Sequence, residues 1–484
     1  MAISGLRLLL FLLLRSFASL PVHAAARGGS NSSGTDEKYG SFLRNLLEDM
    51  PRISEELTHG YMSNLELEIA VRAIGGRCPN ISRIYSIGKS VNGFALLVIE
   101  ISDKPGQKEA EPSFKFIGNV HGDEPVGREV LINLANWLCD NYLKDPLATH
   151  IVENMHIHIL PTMNPDGFAL RRRGNANNVD LNRDFPDQFF PINDEINYRQ
   201  PETRAIMKWV KQEHFTASAS LHGVIILSIA LLKDYPSYSK QYYGCPDDKT
   251  FRYMALVYSQ SHYNMSLSKE FKGGITNGAF WYPIYGGMQD WNYIHGGCFE
   301  LTLEISDAKW PKAAELPVIW EHNRMSMLNL AASLVKTGVH GRIYASDTGH
   351  PIPGLLMIKG IDSEIRASRT YGDYHRMLAP GESYEVIASM EGFRPKATRI
   401  VLEEEAVSLD FILDLDGGNG QVKMLRNDNY GCSCDDDKVF HIQEAHLELY
   451  LLVLFILLAL YLLFKRRTAS KFTTRHSQKR PTAV

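Results

Sequence analysis

The sequence has little net charge, few cysteines and no repeated segment. It contains 51 basic and 55 acidic residues, a formal net charge of −4 over 484 residues, so its composition favours neither a nucleic acid nor a polyanionic partner. None of its six cysteines forms a C-x-x-C pair, which argues against a structural zinc finger. No segment recurs at a fixed period, so a repeat architecture is not indicated.

An apolar run close to the start of the chain predicts a targeting signal. Arg7 precedes Leu8–Leu14, which is too short to span a bilayer. The small-residue segment Val22-His23-Ala24 offers a cleavage site, so residues 1–24 are expected to form a signal peptide. Residues 25–38 are small, polar and rich in glycine and serine, and we expect a disordered leader there.

A second apolar run, Leu449–Phe464, predicts a single membrane span near the other end. Its sixteen residues rise roughly 24 Å as a helix, and extending the segment to 447–464 brings it close to a hydrocarbon core of about 30 Å. The basic triplet Lys465-Arg466-Arg467 follows at once and places a tail at 465–484 in the cytoplasm. The alternatives are a buried core helix or the tail of a lipid-anchor signal, although lysine and arginine continue to the end of the chain.

These two runs imply a type I single-pass protein of the secretory pathway or cell surface, with a lumenal or extracellular body. Three N-x-S/T sequons, at Asn31, Asn80 and Asn264, fit that side of the membrane. An even number of cysteines in an oxidising compartment permits disulfides but does not fix their pairing. The cysteines are Cys78, Cys139, Cys245, Cys298, Cys432 and Cys434.

The middle of the chain alternates between segments typical of strands and of helices. This pattern predicts an α/β sheet flanked by helices in a domain at 39–338. From Val339 onward, short apolar alternations with regular Gly/Pro turns predict a small antiparallel β-sandwich at 339–414, and 415–446 is a Gly/Asp-rich linker. The predicted strands are Ile81–Ile101 (two strands), Phe114–Val120, Met155–Leu160, Ala217–Leu221, Val224–Leu232 and Cys298–Ser306; the predicted helices are Tyr39–Leu57, Arg128–Asn141, Pro201–His214, Thr250–His262 and Val318–Val335; and Ile275–Trp291 is predicted to be a loop.

A histidine and a glutamate three residues apart follow one of these strands. Phe114–Val120 ends on His121-Gly122-Asp123-Glu124, at the kind of strand end where open α/β sheets place their sites. Zinc accepts this nitrogen and oxygen pair, and a catalytic zinc needs a third protein ligand while one position stays open. By itself the pattern is also typical of a polar turn before a helix.

A second strand end supplies the third candidate ligand. His222 closes the predicted strand Ala217–Leu221 and is followed by Gly223. Two imidazoles and a carboxylate would hold a zinc ion that activates water or polarises a carbonyl. Hydrolysis also needs a general base that is not a ligand. Glu304, inside an apolar strand, is the better candidate, and Glu300 on the same face is its rival.

An exopeptidase must also neutralise the terminal carboxylate of its substrate. A planar guanidinium binds a carboxylate through two parallel hydrogen bonds. Arg183, with Asn182 beside it, is suited to this role. Both residues lie in a stretch dense in polar amides and guanidinium groups, which forms either a solvated loop or an anion pocket.

Seven strings resemble the zinc metallocarboxypeptidases, specifically the regulatory subgroup of carboxypeptidases N, E, M and D. They are SIGKSVNG, HGDEPVGRE, NPDGF, RRRGNANNVDLNRDFPDQF, SLHG, GITNGAFWYPIYGGMQDWNYI and CFELTLEIS. Their order and spacing agree with the family across Ile81–Val335, and His340–Leu413 is similar to the subgroup's transthyretin-like domain. The signal peptide and single C-terminal span resemble a membrane-anchored relative of carboxypeptidase D with one catalytic domain, of the plant type. The resemblance implies a mixed central sheet.

The resemblance also implies roles for individual residues, by matching motifs. It implies one zinc ion per chain, held by His121, Glu124 and His222, with Glu304 as general acid/base and Arg173 stabilising the oxyanion. For the substrate, it implies that Asn182 and Arg183 clamp the carboxylate, that Tyr282 is a mobile tyrosine covering the substrate, and that Gln289 lies at the floor of the specificity pocket.

The sequence departs from the family pattern after His222. The family continues with His-Gly-Gly, a few apolar residues, an aromatic-Pro pair and an aspartate that attracts a basic side chain. Here the apolar run Val224–Leu232 follows, and then Lys233 and Asp234. By residue count Lys233 falls at the aspartate position, and a shift of one residue would place Asp234 there. A divergent loop and an altered transcript both remain open explanations.

The sequence therefore predicts a monomeric zinc carboxypeptidase that removes single residues, Lys or Arg, from the C-termini of peptides or proteins. The alternative is a catalytically weak or inactive peptide-binding relative, because of the altered loop. The intact motif residues favour the enzyme.

Overall fold

The computed structural model describes residues 60–187, 196–223, 227–230, 242–282 and 284–416. The predicted signal peptide, leader, first helix, span and tail lie outside these residues, as do the linker beyond Asp416, Lys233 and Asp234. Within the described part of the chain, no helix combines the length and the apolar character that crossing a membrane requires.

An eight-stranded mixed sheet forms the centre of the first domain, as predicted. Its central strands β4, β3, β5 and β8 run parallel, while β1, β2 and β4 pair antiparallel, as do β8 and β6. Across the sheet the order is β1-β2-β4-β3-β5-β8-β6-β7. The strands are β1 (Ser82–Lys89), β2 (Ala95–Ile101), β3 (Ser113–Gly118), β4 (His156–Leu160), β5 (Ala217–His222), β6 (Leu227–Ala230), β7 (Ile275–Asn277) and β8 (Phe299–Glu304).

Helices cover both faces of this sheet. One face packs against a large apolar cluster that includes Leu131, Met254 and Leu330, and the other against a cluster that includes Trp209 and Trp291. Because helices cover both faces, β5 and β8 are buried along their whole length, their polar side chains included. The helices are α1 (Asn64–Arg77), α2 (Val126–Asn141), α3 (Pro146–Asn154), α4 (Pro165–Ala169), α5 (Pro201–Glu213), α6 (Asp248–Ser261), α7 (Gly278–Trp281), α8 (Met288–Gly296) and α9 (Leu316–Lys336).

The sequence prediction differs from the structure at several elements. The segment Ile275–Trp291 is not wholly a loop, because it contains β7, α7 and the start of α8. Helix α1 was not predicted, although Ser63 and Glu66 form a capping box at its start, a pattern that marks helix N-termini. The end of α1 carries Cys78, which forms a disulfide with Cys139 on α2.

Two small sheets enclose a second apolar core after α9, in agreement with the predicted β-sandwich. One sheet has the order β11-β10-β13-β14 and the other β12-β9-β15, with β16 also pairing β9. Leu356, Tyr374 and Phe411 lie in the core between them. The strands are β9 (Val339–Ala345), β10 (Leu355–Ile358), β11 (Ile361–Arg366), β12 (Asp373–Arg376), β13 (Glu382–Ser389), β14 (Lys396–Leu402), β15 (Val407–Ser408) and β16 (Phe411–Leu413).

A buried ion pair joins the sandwich to the first domain. Arg376 Nη2, at the end of β12, donates to both carboxylate oxygens of Asp247 at 2.8 and 3.0 Å. Both side chains are fully buried. Near the surface, Lys249 and Glu382 form a second, exposed pair between the same two parts, at 2.5 Å. The contact between the two domains therefore includes one buried ion pair and one exposed ion pair.

Candidate active site

Three side chains converge at the carboxyl end of the central sheet. His121 and Glu124 follow β3, and His222 is the last residue of β5, the parallel neighbour of β3. The Nδ1 atom of His121 lies 2.9 Å from Glu124 Oε2, and His222 Nδ1 lies 3.1 Å from each of those two atoms. All three side chains are buried.

This arrangement fits a metal ion. The two ring nitrogens and the carboxylate oxygen lie close enough together for one cation to contact all three. Two imidazoles and one carboxylate form a donor set that zinc takes in catalytic sites. The fold thus brings the three residues predicted as metal ligands within bonding range of a single ion.

Side-chain hydrogen bonds from neighbouring residues hold the backbone of the His121–Glu124 turn in place. Asn119 adopts a left-handed conformation with φ of 53°, and its side-chain amide donates to the carbonyl of His121 at 2.7 Å. Thr162 donates in turn to the amide oxygen of Asn119. A Cβ on Gly122 would lie 2.0 Å from the backbone of Gly167, so this position requires glycine.

Glu304 lies beside His222 because the two are register partners at the ends of β8 and β5. Its side chain is buried, and its Oε2 atom has no hydrogen-bond partner in the described part of the chain. Burial, reinforced by the charge of Glu124, raises the pKa of Glu304 to about 7. A carboxyl with such a pKa can both accept and release a proton near neutrality.

Glu300, the rival base, lies in a different environment. It pairs in register with Ser218, four residues back along the strands, which is roughly 13 Å from the strand end. Its Oε2 atom accepts hydrogen bonds from Lys115 at 3.2 Å and Ser218 at 2.7 Å, and also from Asn292. The structure therefore places Glu300 in a buried ion-pair network and Glu304 beside the histidines.

Arg173 reaches the metal-binding cluster from the loop after α4. Its Nη1 lies 3.3 Å from Glu124 Oε1, and its Nε donates to Asp180 Oδ2 at 2.7 Å. The other oxygen of Asp180 lies 3.2 Å from His121 Nε2. Burial alone would raise the pKa of Asp180, but the contacts with His121 and Arg173 hold that pKa well below its usual range.

The two predicted clamp residues share a short 3₁₀ turn, Leu181–Arg183. Asn182 is buried and accepts a hydrogen bond from the backbone of Met288, the first residue of α8, at 2.8 Å. Arg183 is half-buried and donates to the Asn182 carbonyl at 2.6 Å. The turn is therefore anchored to α8 while the guanidinium group stays close to the surface.

Tyr282 and Gln289 lie on either side of a glycine-rich bend. Tyr282 follows α7, is 40% exposed, and packs edge-to-face on Trp281. Gln289, in the first turn of α8, is buried, and its Oε1 atom has no partner among the described residues. Asp234 lies outside the described residues.

Comparisons with known proteins agree with this geometry. The family model described as zinc carboxypeptidase matches residues 67–326. The chain belongs to the zinc carboxypeptidase family. It is a metallocarboxypeptidase hydrolase, whose substrates are peptide C-termini, and the family implies zinc as the metal.

The relatives extend over much of the chain. It is 60% identical to Carboxypeptidase SOL1 of Arabidopsis thaliana over 84% of each protein. It is 40% identical to Carboxypeptidase D of Rattus norvegicus over 77% of this chain, which spans only 28% of that relative. Carboxypeptidase M of Mus musculus is 37% identical over 72% of this chain and 83% of its own length. These matches agree with the predicted regulatory subgroup.

Sequence reasoning missed two side chains of this carboxypeptidase site. Asp180 was visible only as one member of a polar stretch, and its spacing from His121 gives no sign of their contact. Lys309, in the segment after β8, lies 3.2 Å from Asp123 Oδ2 and 3.6 Å from Glu124 Oε1. Both come from segments outside the strands and helices, where periodicity does not predict the course of the chain.

Proposed function

We propose that this carboxypeptidase binds one zinc ion through His121, Glu124 and His222 and removes single residues, Lys or Arg, from peptide C-termini. The observation that carries the proposal is the mutual approach of the three ligand atoms to 2.9–3.1 Å. When bound, zinc supplies a Lewis acid that polarises the scissile carbonyl and lowers the pKa of water.

Glu304 is the general acid and base. Its Oε2 atom takes a proton from the attacking water and then gives it to the leaving amine. Its position opposite His222 supports this role, as does a buried Oε2 with no hydrogen-bond partner among the described residues. Glu300 lies about 13 Å further back along the strands, and Lys115 and Asn292 hold its Oε2 atom in an ion-pair network away from the ligand cluster.

Three polar side chains position the substrate. Arg173 stabilises the negative charge that develops on the scissile carbonyl oxygen, a role in which a fixed cation contributes most in a dry site. Arg183 and Asn182 bind the terminal carboxylate, which restricts cleavage to the last residue of a peptide. The hydrogen bond from the Met288 backbone to Asn182 holds this clamp against α8.

The preference for Lys or Arg rests on the segment after His222. Asp234 would pair with the incoming basic side chain, and Gln289 would lie beside it at the pocket floor. If Lys233 occupied that position instead, a like charge at about 4 Å would oppose a basic side chain by about 4 kcal/mol at an effective dielectric of about 20. We therefore expect a basic preference that is weaker than a buried aspartate alone would give.

The site of action is the secretory pathway or cell surface, with the chain anchored by the span at 447–464. The Cys78–Cys139 disulfide supports an oxidising compartment. The predicted glycosylation residues Asn80 and Asn264 are both exposed, as an acceptor asparagine must be.

A panel of peptides that differ only in the last residue tests the proposed activity. The full-length protein should contain about one zinc per chain, release Arg and Lys faster than neutral residues, and lose activity to a chelator. Asp234→Ala should remove the basic preference, whereas Asp362→Ala, an exposed aspartate in the sandwich, should not. If the parent prefers Arg and Asp234→Ala keeps that preference, Asp234 is not the anchor. Zinc and peptide binding without turnover would instead support the inactive relative.

A further inference from the structure

A second group of metal-ligating side chains lies at the opposite end of the central sheet from the active site. The connection between β2 and β3 carries Glu109 and Glu111, and both side chains face His156, the first residue of β4. One ligand atom from each of these residues lies within 4.8 Å of the others. Because β4 runs parallel to β3, with Ser113 opposite His156, this cluster is separated from His121 by at least the length of β3, roughly 17 Å.

The imidazole of His156 is oriented so that one nitrogen faces the two carboxylates. Its Nδ1 lies 3.1 Å from Glu100 Oε1, which fixes the proton on Nδ1 and leaves a lone pair on Nε2. Glu100 is itself held by Arg83 at 2.7 Å and by the Gly106 amide at 3.0 Å. A carboxylate behind a histidine in this way is the arrangement that orients metal ligands.

Three ligand atoms in the cluster have no hydrogen-bond partner in the described part of the chain. They are His156 Nε2, Glu109 Oε2 and Glu111 Oε2, and all three are buried from solvent. His156 is only 6% exposed, and its Nε2 lies 3.9 Å from Glu109 Oε2. That is too long for a hydrogen bond but matches two ligands on opposite sides of a small cation with bonds of about 2.1 Å.

The charges around the cluster do not balance. Four carboxylates, on Glu100, Asp103, Glu109 and Glu111, face two cations, on Arg83 and Lys104. Lys104 is exposed, and its Nζ pairs with Glu109 Oε1 at 2.5 Å and with Asp103 at 3.4 Å, so it leaves Glu109 Oε2 and Glu111 free.

We propose that His156, Glu109 and Glu111 form a second, structural site for a divalent first-row transition cation. An imidazole with two carboxylates suits such an ion better than calcium or magnesium, which prefer oxygen ligands alone. The ion supplies the two missing charges and bonds all three unpartnered atoms. Glu100 is the positioning residue that holds the imidazole.

A cation here would fix the β2–β3 connection against β4. That connection also contacts the rest of the fold through Lys108, whose carbonyl accepts a hydrogen bond from Tyr371 of the sandwich at 2.8 Å and whose Nζ lies 3.4 Å from the Gln212 carbonyl. Because an ion that binds only the folded chain stabilises it, occupancy should raise the melting temperature.

Equilibrium dialysis of the full-length protein against micromolar free Zn²⁺ tests the proposal. The parent should bind two zinc ions per chain. Glu111→Gln should bind one, because the amide keeps the volume but loses the anionic ligand, and Glu100→Gln should bind the second ion about 10–100-fold more weakly. The matched control Glu364→Gln, an exposed residue of β11, should bind two. Zinc should raise the melting temperature of the chelator-washed parent by more than that of Glu111→Gln.

The zinc ion that Glu111→Gln retains shows that the variant has folded. Should it fail to fold, Glu109→Gln provides the same comparison, because Glu109 Oε2 is another unpartnered ligand atom of the cluster. A parent that binds a single zinc ion, or a Glu111→Gln protein that binds two, would overturn the proposal. Equal loss of the second ion in Glu364→Gln would show that the extra zinc binds nonspecifically to exposed carboxylates.

Discussion

The Oδ1 atom of Asp180 lies 3.2 Å from the Nε2 atom of His121, on the side of the imidazole that faces away from Glu124 and His222. Its other oxygen accepts a hydrogen bond from Arg173. One carboxylate thus contacts both a proposed zinc ligand and the proposed oxyanion residue. We infer that Asp180 fixes the tautomer of His121 and the position of the Arg173 guanidinium at the same time.

Replacing Asp180 with asparagine should weaken both the orientation of His121 and the positioning of Arg173. Loss of an outer carboxylate behind a ligating histidine lowers metal affinity or activity by about 10–100-fold. We expect Asp180→Asn to lower zinc affinity in a chelator competition and to reduce kcat/KM by a similar factor. The control is Asp140→Asn, an exposed aspartate of α2, which should change both values little. Equal effects of the two substitutions would contradict the assignment.

Substitution of the two buried glutamates of β8 should separate catalysis from stability. Glu304→Gln removes proton transfer without a change of shape, and we expect kcat to fall by about 10²–10⁴-fold while zinc and peptide binding persist. Glu300→Gln should leave Lys115 buried without its partner and destabilise the fold by about 3–5 kcal/mol, with kcat of the folded fraction retained. Denaturant unfolding and steady-state kinetics measure the two effects, and the reverse ranking in kcat would identify Glu300 as the base.

The sequence could predict the parts of this site that depend on strand ends. His121, His222 and Glu304 lie at or just beyond the ends of predicted strands, and parallel neighbours must bring their carboxyl ends to one edge, so these residues could be placed together from pattern. Asp180 could not, because a loop between elements has no periodicity that fixes its path. The Cys78–Cys139 pairing likewise depended on α1, which the sequence prediction omitted.

Glu109, Glu111 and His156 illustrate a second limit. Each is ordinary in its local sequence, and their meeting requires that β4 return beside β3 while the connection from β2 folds over its first residue. The cluster could therefore not be predicted from the sequence, because the order of the strands brings its members together and their residue types alone do not mark them. Charge patterns along the chain report only neighbours in sequence, whereas an unpartnered nitrogen such as His156 Nε2 is visible only in the folded protein.

Removal of the Arg183 guanidinium should affect only substrates with a free carboxylate. Loss of a charge-assisted contact costs about 2 kcal/mol or more, so Arg183→Ala should raise KM for free-acid peptides by about 30-fold. Peptides with an amidated C-terminus should be poor substrates of the parent, and the substitution should alter their cleavage little. If the parent cleaved amidated and free peptides equally well, the carboxylate clamp would be refuted.

The buried pair between Asp247 and Arg376 should matter more to stability than the exposed pair between Lys249 and Glu382, although both connect the same two domains. Asp247→Asn leaves a guanidinium group buried without its counter-ion, a change that typically costs about 3–5 kcal/mol. Lys249→Met breaks a pair whose side chains are 69% and 45% exposed, and exposed pairs contribute about 0–1 kcal/mol. Equilibrium unfolding in denaturant should therefore show a large loss in the free energy of unfolding for Asp247→Asn and almost none for Lys249→Met.

The Tyr293 hydroxyl also donates to Asp247 at 2.7 Å. Because an asparagine oxygen can still accept that bond, the loss of stability in Asp247→Asn should come mainly from the unpaired Arg376. The double variant Asp247→Asn with Arg376→Met tests this cause: it should recover part of the lost stability, since no unpaired charge remains. A double variant less stable than Asp247→Asn by the full cost of a second independent substitution would show that the two side chains do not act as a pair.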